Sequence, residues 1–278
     1  MRERAIQFGS HSGLVGIVTL PDQPATPKCA LLMANIGLHH RAGPYRLFTE
    51  LARRVAGRGL LALRFDLSGL GDSTPRSGTL GDVERGVLDM SEAMDWLQSK
   101  LGVERFILIG LCSGVDAIHP VATRDTRVTG AIFIDGYTYP TVGQFIRRHT
   151  VRYLQLRRWT RYFARRRAVR GTEPIAPAAG AAQQQMFVRE YPQLSQFRAD
   201  VRRMVDRGSR LLFIWTGTYS AYNSSRQLAE MLGKDVPRHN MTVQHLTAAD
   251  HIFTAVEQRD ELIARLEAWI VEKVLTPA

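Results

Sequence analysis

Two cysteines, Cys29 and Cys112, in a chain of 278 residues cannot form a disulfide framework, so a reducing cytoplasm is the expected compartment. Long apolar runs are missing as well. None approaches the roughly 18–20 residues that cross a bilayer, and the opening MRERAIQFGSHSG lacks the apolar centre of an export signal. Lysine is scarce, with Lys28, Lys100, Lys234 and Lys273 the only four, so the cationic side of the chain is almost all arginine. At 45% hydrophobic and 23% charged residues the composition is that of a globular protein, which excludes disordered, collagen-like and disulfide-scaffold classes. The length suits one large domain or two small ones.

What is present is a local excess of positive charge. The chain carries 37 Lys and Arg against 26 Asp and Glu, a net +11. Residues 141–171 hold ten arginines and no acid, close to the whole excess. Such a segment suits an acidic protein partner, a phosphate-bearing ligand or a membrane surface better than general nucleic-acid binding.

The pattern along the chain alternates strand and helix. Residues 5–8 and 14–20 read as short antiparallel strands, followed by a proline-rich loop over 21–27. The continuous apolar run 29–34 reads as a strand buried on both faces. From Pro44, Leu47, Leu51 and Val55 recur at helical spacing, and Gly57 and Gly59 end that helix before a strand at 60–65. A helix over about 80–100, a strand at 106–109, a helix from near Ser113 and a strand at 131–134 continue the series. The alternation then fails for about seventy residues, through the Arg-rich segment and the low-complexity AAGAAQQQ. It resumes with a strand at 211–215, a helix near 224–232, a strand at 241–246 and a last helix from Thr254. Alternation of this kind makes a parallel sheet covered by helices on both faces. The interruption is expected to be a helical cap over residues 140–204, with 1–139 and 205–278 forming the core.

Gly110-Leu111-Cys112-Ser113-Gly114 lies where an apolar strand turns into a helix. A nucleophile flanked two residues away on both sides by nearly side-chain-free residues fits a tight strand-to-helix bend. Ser113 is the competing nucleophile, but its own flanks would be the bulky Leu111 and Val115, so the spacing favours Cys112.

With this bend, the segment RFDLSGLGDS at 64–73 and the late Asp250-His251-Ile252-Phe253, the chain resembles the α/β-hydrolase superfamily over nearly its whole length, in its serine-aminopeptidase-like branch. The pair Gly69 and Gly71 could instead suggest a dinucleotide loop, but the third glycine is missing and no helix opens there. The resemblance implies an α/β-hydrolase fold, with a mostly parallel eight-stranded sheet and helices on both faces. Cysteine at the usual serine position is a departure shared with cysteine-dependent thioesterases and Dieckmann cyclases. By position the base is His251, with His245 inside a strand as the weaker choice. The strand-seven loop holds no carboxylate before Glu230, so Asp135, ending strand six, is the expected acid. Asp66, Asp72 and Asp250 read as turn-holding residues. The backbone N–H of Ser113 and that of Ile36 or Gly37 are the expected oxyanion donors.

A thiol nucleophile holds the acyl group as a thioester, which favours amine, thiol and carbanion acceptors relative to water. The expected activity is therefore acyl transfer from a carrier-protein or CoA thioester, released by hydrolysis, transfer or cyclisation. An ester or lactone hydrolase for free small molecules is the competing enzyme, and a non-catalytic binding protein with an inert Cys112 is the third reading. In the Arg-rich segment Phe145, Arg152, Leu156, Trp159 and Phe163 fall near helical spacing. This suits a lid with its apolar stripe over the pocket. Arg147, Arg148, Arg152, Arg157, Arg158 and Arg161 are the candidates for docking an acyl-carrier protein or CoA phosphates. No metal or cofactor is called for, and a homodimer is compatible with this reading.

Overall fold

The computed structural model describes residues 1–23, 28–154, 189, 191–219 and 221–275, with the backbone alone at 12 and 149–154. Eight strands form one sheet: β1 (Arg2–Phe8), β2 (Leu14–Leu20), β3 (Cys29–Met33), β4 (Leu61–Phe65), β5 (Arg105–Leu111), β6 (Val128–Ile134), β7 (Arg210–Thr216) and β8 (Met241–Leu246). Their order is β1-β2-β4-β3-β5-β6-β7-β8. β1 and β2 are antiparallel to each other, β2 is antiparallel to β4, and every pairing from β4 to β8 is parallel. The expected eight-stranded, mostly parallel sheet is therefore the one found.

Burial explains the register. Every residue of β3 and β4 is buried, as it must be where helices cover both faces of a parallel sheet. On one face α1 (Leu47–Ala56) and α7 (Val256–Trp269) bury Leu47, Leu51, Val55, Ile263 and Leu266 against Leu31, Ile107 and Ile132. On the other, α2 (Asp82–Leu101) and α3 (Gly114–Arg124) bury Met90, Met94, Leu97 and Ile118 against Leu32, Leu63 and Leu108. Fully burying one such side chain contributes about 1.5–3 kcal/mol.

The boundaries differ from expectation in physical detail. Pro44 opens a separate 3-10 turn at Pro44–Arg46, in which Tyr45 and Arg46 take positive φ, and α1 begins only at Leu47. Among the described residues, two further helices lie where the alternation fails, α4 (Val142–Leu154) and α5 (Leu194–Asp206). Phe197, Val201, Met204 and Val205 of α5 are buried with the sheet core, so the expected cap boundary at residue 204 falls inside a helix that packs on the core. A short helix α6 (Gln227–Leu232) follows β7. No helix among the described residues is long and apolar enough to cross a membrane. The centre of the Arg-rich segment, including Leu156, Arg157, Arg158, Trp159, Arg161 and Phe163, lies outside the described residues.

Candidate active site

The carboxyl ends of β5, β6, β7 and β8 converge on one point. β5 runs into the bend at Cys112, whose φ of 54° is left-handed, while Ser113 is already helical at φ −64° and ψ −20°. Strain of this kind, about 1–3 kcal/mol, falls on Cys112 and not on its neighbour. The two glycines are required sterically. A Cβ at Gly110 would stand 2.6 Å from the backbone of Gly114, and one at Gly114 would stand 2.8 Å from the Asn35 carbonyl. The Cys112 N–H donates to Ile134 O at 2.9 Å, carrying the sheet pairing one residue beyond the strand.

Asp135 leaves the end of β6 fully buried, with φ 45°. Its Oδ1 accepts the Thr216 N–H at 2.7 Å, and its Oδ2 accepts the Thr216 hydroxyl at 2.6 Å. The same Oδ2 lies 2.7 Å from His251 Nδ1. Thr216, at the end of β7, thus holds the Asp135 carboxylate from the neighbouring strand.

His251 sits on the loop between β8 and α7. Asp250 accepts the backbone N–H groups of Ile252 and Thr254, and its own N–H donates to Gln258. Phe253 anchors the loop with a fully buried ring. The imidazole stacks on Tyr219, with centroids 5.9 Å apart and planes 14° apart. With Nδ1 engaged by Asp135, the hydrogen bond between the ring and Cys112 falls to Nε2. Asp135, His251 and Cys112 thus form one relay.

The electrostatics of the relay favour a thiolate facing an imidazolium. The hydrogen bond to Asp135, then the one to Cys112, raise His251 to about 10 against the opposing effect of burial. Burial raises the Cys112 thiol, but His251 and the positive charge of Arg189 outweigh it, leaving the thiol below its ordinary value. Cys29 shows the contrast: buried in apolar surroundings, it is pushed up to about 12. His245 stays in β8 with its ring edge-on to Tyr222, and its pKa is lowered by burial, so it does not join the relay.

Of the expected oxyanion donors, Ser113 N–H points at the sulfur. Gly37 requires a correction. Its N–H, on a left-handed backbone with φ 50°, donates to Ser113 Oγ at 2.7 Å, so of the two alternatives from this loop Gly37 is already engaged. The loop carrying Ile36 is braced from below. Asn35 Nδ2 donates to His39 O and to Asp66, and Asn35 Oδ1 accepts Leu67 N–H at 2.6 Å. The fully buried Asp66 also accepts from Arg41 and from Asp72 N–H, and Arg41 reaches Asp72 at 2.7 Å. The RFDLSGLGDS segment is therefore the foundation of the loop. Gly71 is part of it, since a Cβ there would meet the Asp66 carboxyl at 2.4 Å.

Two groups beside the relay went unseen in the sequence, Arg189 and its partner Asp116. Arg189 stands in a stretch with no periodicity, and Asp116 looks like an ordinary first-turn helix acid. Of the arginine candidates, Arg147 is tied to Glu230 at 2.6 Å and to Asn223 at 3.0 Å, which makes it a brace between α4 and the loop and helix after β7. Arg148 is exposed. The side chain of Arg152 is not among those described, and Arg157, Arg158 and Arg161 lie outside the described residues. Among the described residues no group of three or more His, Cys, Asp or Glu could hold a metal ion.

A family model described as "Alpha/beta hydrolase family" matches residues 31–266. Among solved structures, the chain is similar to an alpha-beta serine hydrolase homologue from Coxiella burnetii, at 15% identity and TM-score 0.58, covering 96% of this chain and 97% of that one. It is similar to the esterase domain of a Rhodothermus marinus protein, at 18% identity and TM-score 0.57, covering 97% and 98%. An esterase from Pyrococcus furiosus is similar at 15% identity and TM-score 0.65, covering 98% and 91%. At these identities the likeness shows the fold alone. No curated protein matches the chain significantly.

Proposed function

The chain belongs to the alpha/beta hydrolase family, and from that premise we propose that it cleaves an acyl ester or thioester through a covalent intermediate on Cys112. The observation that carries this reading is the relay from Asp135 through His251 to Cys112, with its 2.7 Å hydrogen bond between acid and base. The thiolate attacks the acyl carbonyl carbon. The resulting oxyanion is held by the N–H of Ser113 and Ile36, each such donor contributing about 3 kcal/mol in a dry site. Collapse expels the alkoxide or thiolate leaving group, which takes the His251 Nε2 proton, and leaves an acyl-Cys112 thioester. His251, now neutral, removes a proton from the incoming acceptor, and the Cys112 thiolate departs. Asp135 keeps the imidazole oriented throughout.

The esterase and hydrolase relatives favour water as the acceptor. Sulfur in the bend favours a second reading, transfer to an acceptor other than water, because a thioester is more reactive toward amines, thiols and carbanions. A carrier-protein or CoA thioester would then be the donor, with the Arg-rich segment as its docking surface. Arg148 is available for that role, whereas Arg147 is already committed to Glu230.

Intact-mass measurement after exposure to acyl thioesters and to p-nitrophenyl acyl esters tests the shared step. The expected result is one added acyl group on the wild type and none on Cys112→Ala. Equal turnover of either substrate by Cys112→Ala would sink the covalent role. Product analysis with water alone against added amine or thiol acceptors separates hydrolysis from transfer.

A further inference from the structure

Arg189 has a geometry that its ion pair alone does not use up. It is 13% exposed, and its Nε and Nη2 donate to Asp116 Oδ2 at 2.9 Å and Oδ1 at 2.7 Å. The guanidinium lies over Tyr137 at 5.6 Å and over Tyr191 at 5.2 Å, which fixes its plane. Its Nη1 makes no hydrogen bond among the described residues. Two chains of contact place this group beside the nucleophile. Asp116 stands one helical turn beyond Cys112, on the helix that starts at the bend. The Tyr191 hydroxyl meets the Tyr219 hydroxyl at 2.8 Å, and Tyr219 stacks on His251. The guanidinium is thus tied both to the helix that follows the nucleophile and to the aromatic contacts that reach the base.

We propose that Arg189 is an anion-recognising group beside Cys112, its Nη1 edge holding a carboxylate carried by the acyl substrate. This rests on the acyl-enzyme reading above for what the substrate is, and on the Asp116 fork and the tyrosine planes for the site itself. A guanidinium edge matches a carboxylate with two parallel N–H donors. Asp116 prepays the cost of burying the cation, so the arginine is preorganised before substrate arrives. The influence of Arg189 on the Cys112 thiol agrees with its position close to the reacting atom.

The test is protection of Cys112 from iodoacetamide by unreactive amides. Linear dicarboxylic monoamides with two to six methylenes are compared with diamides of the same length, on the full chain. None of these probes can acylate the thiol, so the result is independent of whether the enzyme transfers acyl groups. A wild type that fails to take up acyl groups from thioesters sinks the proposed function and leaves this result standing. The expected outcome is that, at one or more lengths, the monoamide protects at about ten- to hundredfold lower concentration than its neutral partner, the range for a hydrogen bond to a charged group. That preference is expected to vanish in Arg189→Gln and to survive in part in Arg189→Lys. Equal protection by charged and neutral probes at every length on the wild type, which needs no variant to fold, overturns the proposal. So does an undiminished preference in Arg189→Gln.

Discussion

Replacing Asp135 with asparagine probes the relay where its energetics are most concentrated. The carboxylate of Asp135 is the largest cause of the elevated pKa of His251, and the amide would accept from the ring without a charge. A hydrogen bond to a charged group contributes about 1.5–3 kcal/mol, and 1.36 kcal/mol corresponds to one pH unit. The thiolate–imidazolium population is therefore expected to fall by about tenfold or more. The assay is the rate of Cys112 alkylation by iodoacetamide against pH, read by intact mass. The wild-type midpoint is expected below about 8.5, the value of an unperturbed thiol, and the Asp135→Asn midpoint about one pH unit or more higher. Cys29, buried and pushed up to about 12, supplies an internal blank. The variant also leaves one Thr216 donor without its acceptor, a folding cost of about 1–3 kcal/mol, so circular dichroism accompanies each pH point. Superimposable profiles for the two proteins, or a wild-type midpoint at or above that of a free thiol, would refute the reasoning.

Gly110→Ala is expected to lose the fold, or several kcal/mol of it, because its Cβ would stand 2.6 Å from backbone that cannot yield; urea unfolding measures this. Ser113→Ala releases the Gly37 N–H and is expected to lower kcat several-fold with little change in KM, in keeping with about 1 kcal/mol for one hydrogen bond; an unchanged kcat counts against the brace. The pH dependence of stability carries a definite sign. His251 is raised in the fold, so its contribution is complete below its ordinary value of 6.5 and is lost as pH rises toward about 10. Denaturant titrations of wild type and His251→Gln should therefore converge across that window, and parallel curves would contradict the relay.

Strand alternation was legible because parallel strands buried on both faces leave unbroken apolar runs such as 29–34, and the bend was legible because its steric demand is written as two glycines. Cys112, His251 and Asp135 came from that logic together with the family resemblance, and they meet in space. The rest was hidden for specific reasons. The apolar positions of α5, Leu194, Phe197 and Val201, are interleaved with arginine and sit beyond a low-complexity stretch that masked their period. The Gly37 amide looked like a free donor because nothing in the sequence shows that Ser113 Oγ captures it. Arg189 carries no local pattern at all. Its place is set by Asp116 and two tyrosines, through contacts that only tertiary structure creates.

The loop after β7 is sterically closed where it leaves the strand. Gly217 is packed so tightly on Thr247 that even a methyl group would lie 2.0 Å from the carbonyl oxygen. An engineer wishing to place a carboxylate at residue 217 could not graft it there without first rebuilding the turn leading out of β8. Any variant library that alters either of these two turns must therefore treat both as one unit.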